Sequence, residues 1–214
     1  MRLMVFSPAE KGGKTTVALH LSLALLAEGQ RVALMDLDPR GGLTAAISGL
    51  SDGAAADDLP ALLSGSEASF AGEGDDWLIL DPAPGWTPDL SARLRQADLI
   101  LCPVQPEPES LTALDELTAR LAAEAIDKSR LRLLVTRYSN RLERHRELRG
   151  RLTTAFGSAH VLPVVIRASS RLAEISTSGQ ALRSIAPRST AASDFAQLAR
   201  ALMAMRSLSR PKGP

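Results

Sequence analysis

A chain of 214 residues with 45% hydrophobic side chains is long enough for one substantial core, and with aromatics at only 3% that core must be built from Leu, Ala, Ile and Val. A single cysteine, Cys102, excludes an internal disulfide framework; no apolar run reaches the roughly 18 residues of a membrane span, and the N-terminus lacks the apolar stretch of a secretory leader, so a cytoplasmic protein is expected. The net charge of +1 hides an asymmetry: residues 1–100 carry 7 Lys+Arg against 14 Asp+Glu (−7), and residues 101–214 carry 18 against 10 (+8), which suits either an anionic partner for the C-terminal part or a solvated Arg-rich surface.

In chain order the pattern is strand then helix, repeated. RLMVF (2–6) is a short apolar run. A helix is predicted from Thr15 to Glu28, with Gly29 as its stop. RVALMD (31–36) is a buried-strand candidate ending in a carboxylate. Residues 50–76 are rich in Gly, Ala, Ser and Asp, and predict one short helix near 57–64 within loop. WLILD (77–81) and DLILCPV (98–104) are further strands, 109–126 a helix, LRLLVT (131–136) a strand and 141–155 an Arg-rich helix. VLPVVI (161–166) is the last strand and 190–208 the last helix. Fully apolar strands alternating with helices predict an α/β fold, a doubly wound, mostly parallel sheet with helices on both faces. One domain over 1–208 is expected, with 209–214 a flexible tail.

The stretch Ser7–Thr16, SPAEKGGKTT, lies between the first strand and the first helix. It resembles a phosphate-binding loop, G-x-x-x-x-G-K-[ST], with Gly13, Lys14 and Thr15 in the last three places and Pro8 where the first glycine would stand. In such a loop backbone N–H groups wrap the phosphates, the lysine neutralises their oxygens, the hydroxyl takes Mg²⁺ and the helix points its positive end at the anion. Gly12, Gly13, Lys14, Thr15 and Thr16 are therefore the candidate nucleotide-binding residues. Alone, the match fits a structural turn equally well. Two more sites change that: Asp36-Leu37-Asp38-Pro39 ends the second strand and Asp81-Pro82 ends the WLIL strand. The carboxyl ends of parallel strands share one edge, so Lys14, Thr15, Asp36, Asp38 and Asp81 should converge there. A lysine, a hydroxyl and acidic groups are the set that a Mg²⁺-bound triphosphate requires.

The segments GKTTVALHLSLALLAEGQRVALMDLDPR, LILDPAPG, ADLILCPVQPEPESLTAL and LLVTRYSNR, with the stretch from Arg171 onward, resemble the ParA/MinD family of deviant Walker A ATPases over nearly the whole chain. The nearest resemblance is to the short ParA proteins of plasmid and cargo positioning. It implies that Lys14 binds phosphates, that Thr15 binds Mg²⁺, that Asp81 holds the metal through water and that Asp38 positions the attacking water, with Asp36 in the same shell. It further implies ATP and Mg²⁺ as ligands, pairing of two copies with ATP, binding of the pair to non-specific DNA and slow hydrolysis stimulated by a ParB-like or other small adaptor. A cytoplasmic, nucleoid-associated protein that positions a plasmid, chromosome region or carboxysome-like body would follow.

The chain departs from the family at named positions. The family loop usually reads x-K-G-G-x-G-K-T; aligned without gaps, Ala9 stands at the signature lysine, and Glu10 and Lys11 at two glycines. Lys11 either restores the missing charge from a new position or balances Glu10 at the surface. Arg40 replaces the usual glutamine after D-x-D-P, and Arg167 a proline in the loop near the adenine. Arg141, Arg144, Arg146, Arg149 and Arg151 crowd one predicted helix but spread around it, since Leu148 interrupts a single basic face. Arg141, Arg144, Arg167, Arg171 and Arg188 are the candidate DNA contacts, through phosphate alone, because no base-reading motif is present. Two rival readings remain, a MinD-like membrane-surface switch and a nucleotide-binding interaction module with little hydrolysis. The tail ALMAMRSLSRPKGP offers little of the amphipathic helix that the first needs, so no membrane partner is expected.

Overall fold

The computed structural model describes residues 1–9, 12–51, 60–63, 76–170, 172 and 189–209. The continuous apolar runs become strands because the two faces of each are covered by helices. Along the chain come β1 (Arg2–Val5), α1 (Lys14–Ala27), β2 (Val32–Leu37), α2 (Gly42–Ser51), β3 (Ala61–Leu63) and β4 (Trp77–Pro82). Then follow α3 (Pro88–Gln96), β5 (Leu99–Val104), α4 (Ser110–Ala123), a 3₁₀ turn (Lys128–Arg130), β6 (Leu131–Tyr138), α5 (Glu143–Phe156), β7 (Val161–Arg167) and α6 (Thr190–Ser209). The seven strands form one sheet in the order β3-β2-β4-β1-β5-β6-β7, and neighbouring strands pair in parallel.

Alternation along the strands divides the core in two. Leu3 and Val5 of β1 face the side covered by α1, α2 and α6, where they pack with Val17, Leu21, Leu43, Ile47, Phe195 and Leu198. Met4 and Phe6 face the opposite side, with Leu90, Leu94, Leu117, Leu121, Leu148 and Leu152 of α3, α4 and α5. Helix α1 is buried along most of its length, because it packs against both the sheet and α6. This is the doubly wound arrangement that the sequence predicts.

Four elements differ from the expectation. The helix predicted near 57–64 is replaced at Ala61–Leu63 by edge strand β3, which pairs with Ala33–Met35 of β2; positions 57–59 and 64 lie outside the described residues. Sheet hydrogen bonds to β2 override the weak helical preference of three residues. Helices α2 and α3 are additions to the expected pattern. Helix α4 stops at Ala123, where Ala125 turns to φ 53° and Ile126 N–H bonds back to Leu121 C=O.

Strand β7 is fastened to α6 by an ion pair. The Arg167 guanidinium lies on the Asp194 carboxylate, with Nε 3.0 Å from Oδ2, and the Arg167 backbone N–H donates to the same oxygen at 2.9 Å. Asp194 is buried, whereas the Arg167 side chain is partly exposed. Removing one member of a buried pair strands the other charge, at a cost of about 3–5 kcal/mol, less where solvent reaches the pair. Arg167→Ala should therefore lower stability by about 2 kcal/mol, seen as an earlier urea midpoint at unchanged m-value. Arg167→Ala/Asp194→Asn should recover part of that loss.

Candidate functional site

The loop after β1 is held in shape by two glycines with different duties. A Cβ on Gly12 would run into the buried Ser7 side chain. Gly13 stands at φ 84°, left-handed backbone that favours glycine. Gly13 is also the cap residue of α1, and no side chain caps that helix. With no acidic residue in its first turn, the start of α1 carries the positive end of the helix dipole toward the loop, as an anion-binding helix end requires.

The sheet order places the acids. Strand β4 lies beside β1, which sets Asp81 next to the loop, and Asp36 of β2 is the cross-strand partner of Asp81. Thr15 Oγ1 donates to Asp81 Oδ2 at 2.6 Å. Asp81 is 1% exposed, and its Oδ1 is buried without a hydrogen-bond partner among the described residues. Burial pushes the Asp81 carboxyl up to about 6, against the opposing pull of the Thr15 hydrogen bond. Lys14 is itself buried; desolvation draws its ammonium below the ordinary lysine value, while the charges of Asp81 and Asp38 support the protonated form. Lys14 and Thr15 thus meet Asp81, 66 positions beyond Thr15, at the carboxyl rim of the sheet. A hard cation binds through oxygen and keeps waters, so the unpartnered Oδ1 beside the Thr15 hydroxyl has the donor chemistry that Mg²⁺ takes.

The other two carboxylates are engaged differently. Asp36 accepts from the Asp38 N–H at 3.1 Å, and its second oxygen accepts from Thr44 N–H at 2.8 Å and from Thr44 Oγ1 at 3.0 Å. It thereby fixes the start of α2 as well as standing at the rim. Asp38 is clasped by Arg40, whose Nη2 lies 2.7 Å from Oδ2. Hydrogen bonds from Arg40 hold the Asp38 carboxyl below the usual carboxylate range. Sequence reading placed Asp36 and Asp38 at the rim but missed both clasps. The signal available for the second was the two-residue spacing of Asp38 and Arg40 around Pro39.

Beside the loop a cleft of about 210 Å³ opens between Pro8 and Ala9 on one wall and Val104, Ala113 and Leu114 on the other. Cys102 forms part of its lining; burial pushes the thiol up to about 12, which removes it as a nucleophile. Trp86, four positions past the end of β4, stacks edge-on to Phe6 at the mouth of the loop, and its Nε1 donates to Ser91 Oγ at 2.8 Å. Arg120 lies over the outer face of the Trp86 ring.

Of the expected basic contacts, Arg141 and Arg144 are exposed and make no hydrogen bond or ion pair among the described residues. They follow the carboxyl end of β6, on the sheet edge where Lys14 also stands. Arg167 does not join them, because its guanidinium is bound to Asp194. Arg146 and Arg149 donate to the backbone carbonyls of Asn140 and Pro163. Lys11, Arg171 and Arg188 lie outside the described residues.

Residues 3–182 match the CobQ/CobB/MinD/ParA nucleotide binding domain. The chain belongs to this family. It is 32% identical to the chromosome-partitioning ATPase Soj of Thermus thermophilus over 91% of this chain and 93% of that protein. It shares its fold with the MinD cell division protein of Aquifex aeolicus, at TM-score 0.75 and 18% identity over 95% of this chain and 97% of that one. A ParA family ATPase from Chlorobium tepidum superposes at TM-score 0.70 and 17% identity, covering 93% and 98% of the two chains. As in other ParA/MinD proteins, the chain is a nucleotide-binding domain on a P-loop-type parallel sheet.

The buried Asp81 sets a pH dependence. Its folded value of about 6 lies above its ordinary value of 3.8, so this group favours the folded state fully below pH 3.8, and the contribution is lost as pH rises through 6. Asp81→Asn keeps an acceptor for Thr15 and removes the buried charge. At pH 8, without nucleotide or metal, it should be more stable than wild type by about 1–3 kcal/mol, converging with it near pH 4. Parallel thermal melts from pH 4 to 8 check this; a gap that does not change with pH would refute it.

Proposed function

We propose that this chain is a ParA-like ATPase acting as a nucleotide-dependent switch. ATP favours pairing of two copies, the pair binds DNA without sequence preference, and hydrolysis releases it. Slow turnover stimulated by a ParB-like or other small adaptor would let the cycle position a plasmid, a chromosome region or a carboxysome-like body on the nucleoid, within the cytoplasm. The observation that carries the reading is the meeting of Lys14, Thr15 and Asp81 at the uncapped head of α1. A buried ammonium, a hydroxyl and a buried unpartnered carboxylate oxygen have no use for one another in an apolar core, and together they suit a metal-bound polyphosphate.

On this reading the N–H groups of Gly12, Gly13, Lys14, Thr15 and Thr16 wrap the phosphates. Lys14 neutralises the β and γ oxygens. Thr15 and Asp81 would hold Mg²⁺, with Asp36 close by across the β2–β4 pair. The metal, when bound, offsets the charge that builds on the phosphate oxygens. Asp38 orients the water that attacks the γ-phosphorus, and catalysis is mainly electrostatic. Lys11 supplies charge that Ala9 cannot. Pairing follows the Soj and ParA relatives. DNA binding draws on Arg141 and Arg144, exposed on the nucleotide rim, so that the bound nucleotide and the DNA surface share one edge of the sheet. No helix among the described residues is long and apolar enough to cross a membrane.

Two measurements test the reading. Lys14→Ala should abolish phosphate release and lose ATP-dependent pairing in sedimentation; retention of both would overturn the nucleotide assignment. DNA affinity with ATP should fall steeply between low and moderate salt. In Arg141→Ala/Arg144→Ala the slope of log K against log salt should shrink by about 2, near 0.9 for each phosphate that is no longer neutralised. An unchanged slope would move the DNA surface elsewhere.

A further inference from the structure

Both oxygens of the Asp38 carboxylate are engaged within its own turn. Oδ1 accepts from the Arg40 backbone N–H at 3.0 Å and from Nε at 3.1 Å, while Oδ2 accepts from Nε at 3.1 Å and from Nη2 at 2.7 Å. Three N–H groups make these contacts, the single Nε hydrogen being shared between the two oxygens, so both oxygens of the carboxylate are engaged by Arg40. The Asp38 side chain is 16% exposed and that of Arg40 63%, so the guanidinium lies on the solvent side and screens the acid beneath it.

The turn builds this arrangement locally. Gly41 N–H closes back on Asp38 C=O at 2.8 Å, Gly41 stands at φ 67°, and Pro39 fixes the backbone between the partners. Partners two residues apart in a closed turn lose less freedom on pairing than two long side chains meeting across a surface, so the pair is firmer than an ordinary exposed one. The Arg40 charge is also felt at Lys14, which places it beside the phosphate loop.

We infer that Arg40 is a positioning residue that brakes hydrolysis by occupying the oxygens with which Asp38 would orient the attacking water. The inference rests on the ATPase reading above. A glutamine at this position keeps most of the length without the charge or the fork. A lysine keeps the charge and loses the planar, two-pronged grip. Because the guanidinium touches Asp38, its effect on rate has to pass through Asp38.

Phosphate release by the full chain with Mg²⁺ and ATP, over a range of ATP concentration, tests this for wild type, Arg40→Gln, Arg40→Lys, Asp38→Ala and Asp38→Ala/Arg40→Gln. Binding of a fluorescent non-hydrolysable ATP analogue is measured alongside. Arg40→Gln should raise kcat roughly 2- to 5-fold with KM and analogue affinity unchanged within error, as expected on releasing a well-formed exposed ion pair. Arg40→Lys should fall between wild type and Arg40→Gln. In the Asp38→Ala background Arg40→Gln should change nothing. A lower or unchanged kcat in Arg40→Gln, or the same rise with Asp38 absent, overturns the brake while leaving the ATPase intact. A wild type that binds no analogue and releases no phosphate overturns the ATPase reading, and the brake with it.

Discussion

One buried carboxylate governs this molecule's rim. Asp81 sits at the carboxyl end of a central strand, 1% exposed, with one oxygen on Thr15 and the other facing no donor among the described residues. Water would solvate such a group far better than the protein does, and its raised pKa measures that discomfort. The neighbouring Lys14 is buried as well, and its own charge is disfavoured there. The two offset each other only in part. A cation and a polyanion arriving together complement both at once, so the features that cost stability in the free protein are those a ligand relieves.

The order of the sheet makes this possible. Had β4 not lain beside β1, Thr15 and Asp81 could not touch, and the uncapped head of α1 would face other chemistry. The same adjacency aligns Asp36 with Asp81 across β2 and β4. Asp36 does two things from there: it adds negative charge at the rim and secures Thr44 at the start of α2, so that helix and acid cluster are tied together.

Much of this was legible in the sequence because the strands are uninterrupted apolar runs, and because motifs at strand ends must gather on one edge. The limits are equally physical. Helix α2 carries a helical period, Leu43, Ile47 and Leu50 at i, i+4 and i+7, all buried, but the small residues and glycines between them mask it. Helix α3 did carry a start signal, Thr87 followed by Pro88, and Thr87 Oγ1 indeed accepts from Leu90 N–H at 3.1 Å. Strand β3 exists only through its pairing with β2, which no local pattern encodes. The arginines teach the same lesson. Counting them reveals a basic C-terminal half, yet Arg167 meets Asp194 across 27 positions and Arg149 meets Pro163, whereas Arg141, Arg144 and Arg151 stand exposed with no side-chain bond among the described residues. Charge totals cannot separate internal fasteners from outward-facing donors.

The edge-on packing of Trp86 on Phe6 has a practical corollary. The indole sits between the last residue before the phosphate loop and the segment that follows Asp81, with a guanidinium over its outer face. Trp77, the only other tryptophan, lies fully buried at the opposite end of β4, beneath Arg206. One indole is therefore placed where the chemistry changes and the other where it does not, so the chain carries its own optical reporter together with an internal reference, and ligand arrival can be followed by emission without any attached dye.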